Sequence, residues 1–197
     1  MPESGINSLN VEYGRFFIEL KGVDDRSAVL LSSSLLDYLL TELIRKYLPE
    51  SPTKKDHLLD DRGVLSNLYA KIHFAFRLGL IDKDIFQILE WLRDIRNKYA
   101  HKLEYSKLSE NPYASRIDEM YQSFSWYPPF IEAAKESFGP VDDSAFKFKS
   151  TVVLIAGRIL DGLKKEGRLV SVKLIPDKWE VTRMHQIFAA PPGLSNG

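Results

Sequence analysis

The residues able to do chemistry are concentrated in one stretch, Trp91-Leu92-Arg93-Asp94-Ile95-Arg96-Asn97-Lys98-Tyr99-Ala100-His101. Arginine is a planar fork that matches phosphate or carboxylate, and histidine exchanges protons near neutral pH. An arginine holding a phosphate beside a histidine moving a proton can cleave RNA without a metal, with the RNA 2′-hydroxyl as nucleophile. Arg96 and His101 are the candidates for those roles, and Asn97 would support them. A histidine near a helix C-terminus is favoured in its protonated form by the helix dipole, which suits a general acid. Five residues of straight helix place Arg96 and His101 about 140° apart. They converge on one substrate only if the helix ends by about Ala100 or if two chains share a site.

Arg96 also has a purely structural reading. Ile85, Ile88, Leu92, Ile95 and Tyr99 step by three and four, which marks an apolar seam. Counted from Ile85 at about 100° per residue, the seam centres at roughly −20° and Arg96 falls at roughly +20°. Arg93 lies at the seam edge, Asn97 further out and His101 towards the polar side. A cation on an apolar face needs a partner, and Asp37 or Glu42 of an earlier helix could supply the carboxylate.

Other candidates carry less. Ser32-Ser33-Ser34 has no nucleophile-elbow glycines around it and reads as small residues that let helices approach. His57, Asp60 and Asp61 lack the i, i+4 histidine pairing of a helical metal site; they read as a solvated loop, with Asp60 or Asp61 capping the next helix. His73 reads as a surface or half-buried histidine. No glycine-rich phosphate loop is present, and no cofactor or metal site is expected.

The elements that must position the motif follow from hydrophobic spacing. A first helix covers about Ser8 to Lys21 and ends at Gly22. Asp24 and Asp25 open a long helix that runs to about Leu48, where Pro49 and Pro52 stop it. A polar loop spans Glu50 to Gly63. A third helix is expected over Val64 to Leu78, then a turn at Gly79 with Asp82 as N-cap, and a fourth helix from Lys83. Asn111 to Phe124, Phe130 to Phe138 and Ser144 to Lys165 carry further helical patterns. Leu169 to Ile175 alternates weakly like a short strand, and the tail from Ala190 reads as loose. The result is an all-α antiparallel helical bundle with an irregular C-terminal extension. It is expected as a single domain over 1–168, core 8–103 around the helix Asp25–Leu48, followed by a partly flexible extension over 169–197.

With 197 residues, 44% of them apolar, the chain can build one sizeable core. Lys+Arg and Asp+Glu are both 27, so no global basic field draws the chain to DNA or an anionic membrane. The absence of cysteine excludes a disulfide framework, thiolate metal sites and a cysteine nucleophile. Met1 to Asn10 lacks the apolar core of a signal peptide, and Ala28 to Leu48 is interrupted by Asp37, Glu42, Arg45 and Lys46, so a cytoplasmic protein with no membrane span is expected.

Arg96-Asn97-x-x-x-His101 resembles the motif of the HEPN (higher eukaryotes and prokaryotes nucleotide-binding) superfamily. Its active members are metal-independent endoribonucleases, usually dimers with the motif at the interface. That resemblance implies a catalytic Arg96 and His101, a supporting Asn97 and RNA as substrate. A wider resemblance covers about Asp25 to His101. Leu58-Leu59-Asp60-Asp61-Arg62-Gly63-Val64-Leu65-Ser66-Asn67-Leu68, then Phe76-Arg77-Leu78-Gly79-Leu80-Ile81 and Leu92-Arg93-Asp94-Ile95-Arg96-Asn97, is similar to the mannitol operon repressor (MltR-like) family. This implies an all-helical transcription regulator, expected as a homodimer, that works through a protein partner rather than by reading DNA. An antitoxin would be the partner if the chain were instead a nuclease toxin. Arg93, Asp37, Glu42 and Tyr99 are the residues expected to support the site.

Overall fold

The computed structural model describes residues 3–101, 107–124 and 128–164. Within them the chain forms α1 (Glu3–Gly22), α2 (Asp25–Tyr47), α3 (Leu68–Arg77), α4 (Lys83–His101), α5 (Tyr113–Gln122), α6 (Pro128–Phe138) and α7 (Ser144–Lys164), with no strand among the described residues. The fold is an all-α bundle. The weak strand expected at Leu169 to Ile175, the loose tail and the whole 169–197 extension lie outside the described residues.

Local chemistry sets the helix ends. Asp24 caps α2, its carboxylate accepting from the Ser27 amide at 3.0 Å and the Ser27 hydroxyl at 2.9 Å. These bonds hold the Asp24 carboxyl below the usual carboxylate range. Asp82 accepts from the Ile85 amide at 2.8 Å at the start of α4, as its position predicts. Between α3 and α4 the chain reverses at Gly79, whose φ of 69° is a conformation that favours glycine.

α3 is shorter than the expected Val64–Leu78. Asn67 is the N-cap, accepting from the Ala70 amide at 2.9 Å, in place of Asp60 or Asp61. The loop before it is solvated, with His57, Asp60 and Asp61 exposed as expected, and it is also tied down by its own bonds. Asp56 Oδ1 accepts from the amides of Leu58 and Leu59, Leu65 N donates to Leu58 O at 2.8 Å, and Leu59 and Leu65 are buried. Gly63 is required there, because a Cβ would lie 2.5 Å from the Leu58 carbonyl oxygen.

The expectation that α2 alone is the central helix needs correction. α7 is the most deeply enclosed element, buried from Phe146 to Leu163 on nearly every face, and it contacts α1, α2, α5 and α6. α2 is shared: α7 lies on one side, α3 and α4 on the other. α2 is long and apolar enough to cross a membrane by composition, but its apolar faces are covered by these neighbours. Helices joined by short turns, α1–α2 and α3–α4, run antiparallel. α2 and α7 run parallel: Lys149 near the start of α7 donates to Val23 O beside the start of α2, and Lys46 near the end of α2 donates to Leu163 O at the end of α7. They are distant in sequence, so no short loop dictates their direction.

Candidate functional site

The register of the α3–α4 hairpin decides where the motif residues lie. Phe76 stacks on Phe86 at 4.8 Å, His73 Nε2 stands 3.8 Å from Glu90 Oε1, and the Arg93 guanidinium sits 5.1 Å over the Tyr69 ring. The first turn of α3 thus pairs with Arg93. One turn further along α4 are Arg96 and Asn97, and α3 has already ended.

This ending opens a cleft of about 590 Å³. Leu30, Ser33, Ser34 and Asp37 of α2 form one wall. Ser66, Asn67, Leu68 and Tyr69 form the second, and Arg93, Arg96 and Asn97 of α4 the third. Leu30 and Tyr69 are 37% and 51% exposed, so the mouth has an apolar and an aromatic edge.

Arg96 is exposed, which corrects the expectation of a buried cation on the seam. The buried residues beyond Leu92 are Ile95 and Tyr99. They turn away from α3 towards α5, where the Tyr99 and Tyr113 rings meet at 4.8 Å. The angular position of Arg96 is on the α3 side, and no helix covers it there. Its Nη1 donates to Asn97 Oδ1 at 3.2 Å, and it makes no ion pair with a described residue.

The expected pairing of Arg96 with Asp37 or Glu42 is also overturned. Asp37 Oδ2 accepts from Lys71 Nζ of α3 at 2.6 Å, and Lys71 is buried. Asp37 Oδ1 has no hydrogen-bond partner. Glu42 pairs with Arg45 one turn along α2, outside the cleft. Arg93 is matched by Glu90, through two bonds of 3.2 and 3.1 Å, and by Asp94 at 2.9 Å. Of the seven residues singled out from sequence, Arg93, Arg96, Asn97 and Asp37 share the cleft. Tyr99 is a buried packing residue and Glu42 lies elsewhere. His101 is the last residue of α4, and its side chain lies outside the described residues.

Sequence reasoning missed Ser33, Ser34, Ser66 and Asn67 as cleft residues. Asn67 was findable as a helix cap three residues before Ala70. The serines carry no signal until the cleft is known. Among the described residues no group of three or more histidines and carboxylates could hold a metal.

Neither a family model nor a curated protein matches the chain. A solved structure does: the X-ray structure of the MtlR–HPr complex from Escherichia coli is similar at 17% identity and a TM-score of 0.55, covering 80% of this chain and 99% of that one. The likeness is one of fold: the helical bundle of this chain is similar to that of the chain in that complex.

Proposed function

We propose that this chain is a helical regulator of the mannitol-repressor type that acts in the cytoplasm by binding a protein partner rather than by reading DNA. The observation that carries the reading is the fold match, which runs through 99% of an MtlR chain solved together with HPr. The charge balance supports it. Sequence-independent affinity for DNA comes from neutralised phosphates, and a chain with 27 basic and 27 acidic residues lacks a global excess to provide it. The test is calorimetric titration of the chain with purified HPr, both the Escherichia coli protein and the one from its own genome. A saturable complex is expected. No complex with either, or tight operator binding by the chain alone at physiological salt, would overturn the proposal.

One observation favours a second reading, a metal-independent endoribonuclease. Arg96 is exposed in a cleft, bonded to Asn97 and free of carboxylate partners among the described residues. In this reading two chains form a homodimer, and each supplies Arg96 or His101 to a shared RNA site. An RNA cleavage assay in the presence of chelator, comparing wild type with Arg96→Ala and His101→Ala, decides it: activity lost in both variants favours the nuclease, and no activity in wild type rejects it.

A further inference from the structure

The hydrogen-bonding faces of the cleft are sorted by wall. On α2, the Ser33 hydroxyl donates to Val29 O at 2.9 Å and the Ser34 hydroxyl donates to Leu30 O at 3.1 Å. Each hydroxyl has committed its proton to the helix, so its remaining capacity is to accept. Asp37, further along the same helix, is a carboxylate and also accepts, its Oδ2 taking Lys71 while its Oδ1 is buried without a partner. The α2 wall is therefore an acceptor wall.

The other two walls are the reverse. Asn67 Oδ1 is occupied by the Ala70 amide and Asn97 Oδ1 by Arg96, so each amide offers its NH₂ group. Arg96 adds the guanidinium protons not used on Asn97. The Asp37 charge is met by Lys71 and the Arg93 charge by Glu90 and Asp94. Arg96 is the cation lining the cleft that makes no ion pair with a described residue.

A ligand complementary to all three walls has several hydroxyl groups to donate towards α2 and one anionic end for Arg96. The cleft volume, about 590 Å³, is within the range of small-molecule sites. The geometry points to a small polyhydroxylated anion, a sugar phosphate or sugar acid, as the ligand of this cleft. The anionic end sits on Arg96 between the Asn67 and Asn97 amides, and the hydroxyls lie along Ser33, Ser34 and Asp37. The site is separate from the partner reading: a chain that fails to bind HPr can still bind the polyol, and the reverse.

The full chain is titrated calorimetrically with a panel of hexose, pentose and hexitol phosphates, the matching sugar acids, their neutral parents and inorganic phosphate. At least one phosphorylated or carboxylated polyol should bind saturably, at least ~10-fold tighter than its neutral parent or inorganic phosphate, as expected for one charge-assisted contact. The phosphate and acid arms identify which anionic end is used. Arg96→Gln should weaken that ligand by ~10-fold or more with an unchanged melting temperature. Ser34→Ala should weaken the polyol but leave inorganic phosphate unaffected, and Lys98→Gln, an exposed change elsewhere on α4, should alter neither. No binding below ~10 mM by any panel member, a range weaker than millimolar affinity, would overturn the proposal. So would binding that Arg96→Gln leaves intact, or inorganic phosphate binding as tightly as every polyol.

Discussion

The surroundings of α7 and the cleft beside α4 treat polar groups in opposite ways. α7 buries Lys149, Ser150, Thr151, Arg158 and Asp161. The buried cation there is held within the fold: Lys149 Nζ donates to Val23 O at 3.2 Å, while the Ser150 and Thr151 hydroxyls have no hydrogen-bond partner. At the cleft, Lys71 follows the same rule and Arg96 does not. Lys71 is buried and takes the Asp37 carboxylate, whereas Arg96, which lines the same cleft as Asp37, remains exposed. Burial is what forces a cation to find a partner. A cation held in a concave site without one contributes little to the fold and is available to something outside it.

The largest effect should come from α7. Ile155→Ala removes a fully buried side chain from the most enclosed helix and should cost about 2–5 kcal/mol, read by denaturant unfolding. A cost under 1 kcal/mol would mean that α7 is not the centre of the core.

Lys71→Ala comes next. It leaves Asp37 without its counter-charge, and because the Asp37 side chain is 34% exposed the loss should be smaller than for a fully buried pair, about 2 kcal/mol. Arg96→Ala, at an exposed cation of the same cleft, should change stability by no more than about 0.5 kcal/mol. Equal effects in the two variants would erase the contrast between the paired and unpaired cations.

The smallest effect is one of pH at Lys149. Burial lowers its pKa from the ordinary lysine value, against the pull of Asp25, Asp143 and Asp24. Between the lowered folded value and the ordinary unfolded one, the unfolded chain binds more protons, so this group's contribution to stability rises with pH in that window. The melting temperature of wild type relative to Lys149→Met should therefore increase as pH approaches the ordinary lysine range. A flat difference would show that Lys149 titrates normally.

The helical architecture was legible because it rests on spacing and caps. Asp24 and Asp82 stand where short acidic residues accept amide protons, and Ile85, Ile88 and Leu92 mark the seam of α4 whatever lies opposite. The site was legible only in part. Angular arithmetic put Arg96 on the apolar seam, but whether that part of the seam is covered depends on the length of α3, which begins after Asn67 and not at Val64. The partner of Asp37 was hidden for a related reason. Lys71 reads as a surface lysine until the packing of α3 on α2 brings it inward. The parallel run of α2 and α7 had no local signal, since nothing near in sequence ties those helices together.

Gly63 carries a consequence for tracing relatives of this chain. The fit between its bare α-carbon and the Leu58 carbonyl leaves no room for one more carbon atom, so this position works as a yes-or-no marker rather than a graded preference. A distant homologue can exchange every apolar residue of the loop for another and keep the shape. One that carries a side chain here has rebuilt the loop, and with it the wall formed by Ser66 and Asn67. A side chain at this position is thus a sign that the loop, and the wall in which it ends, has moved.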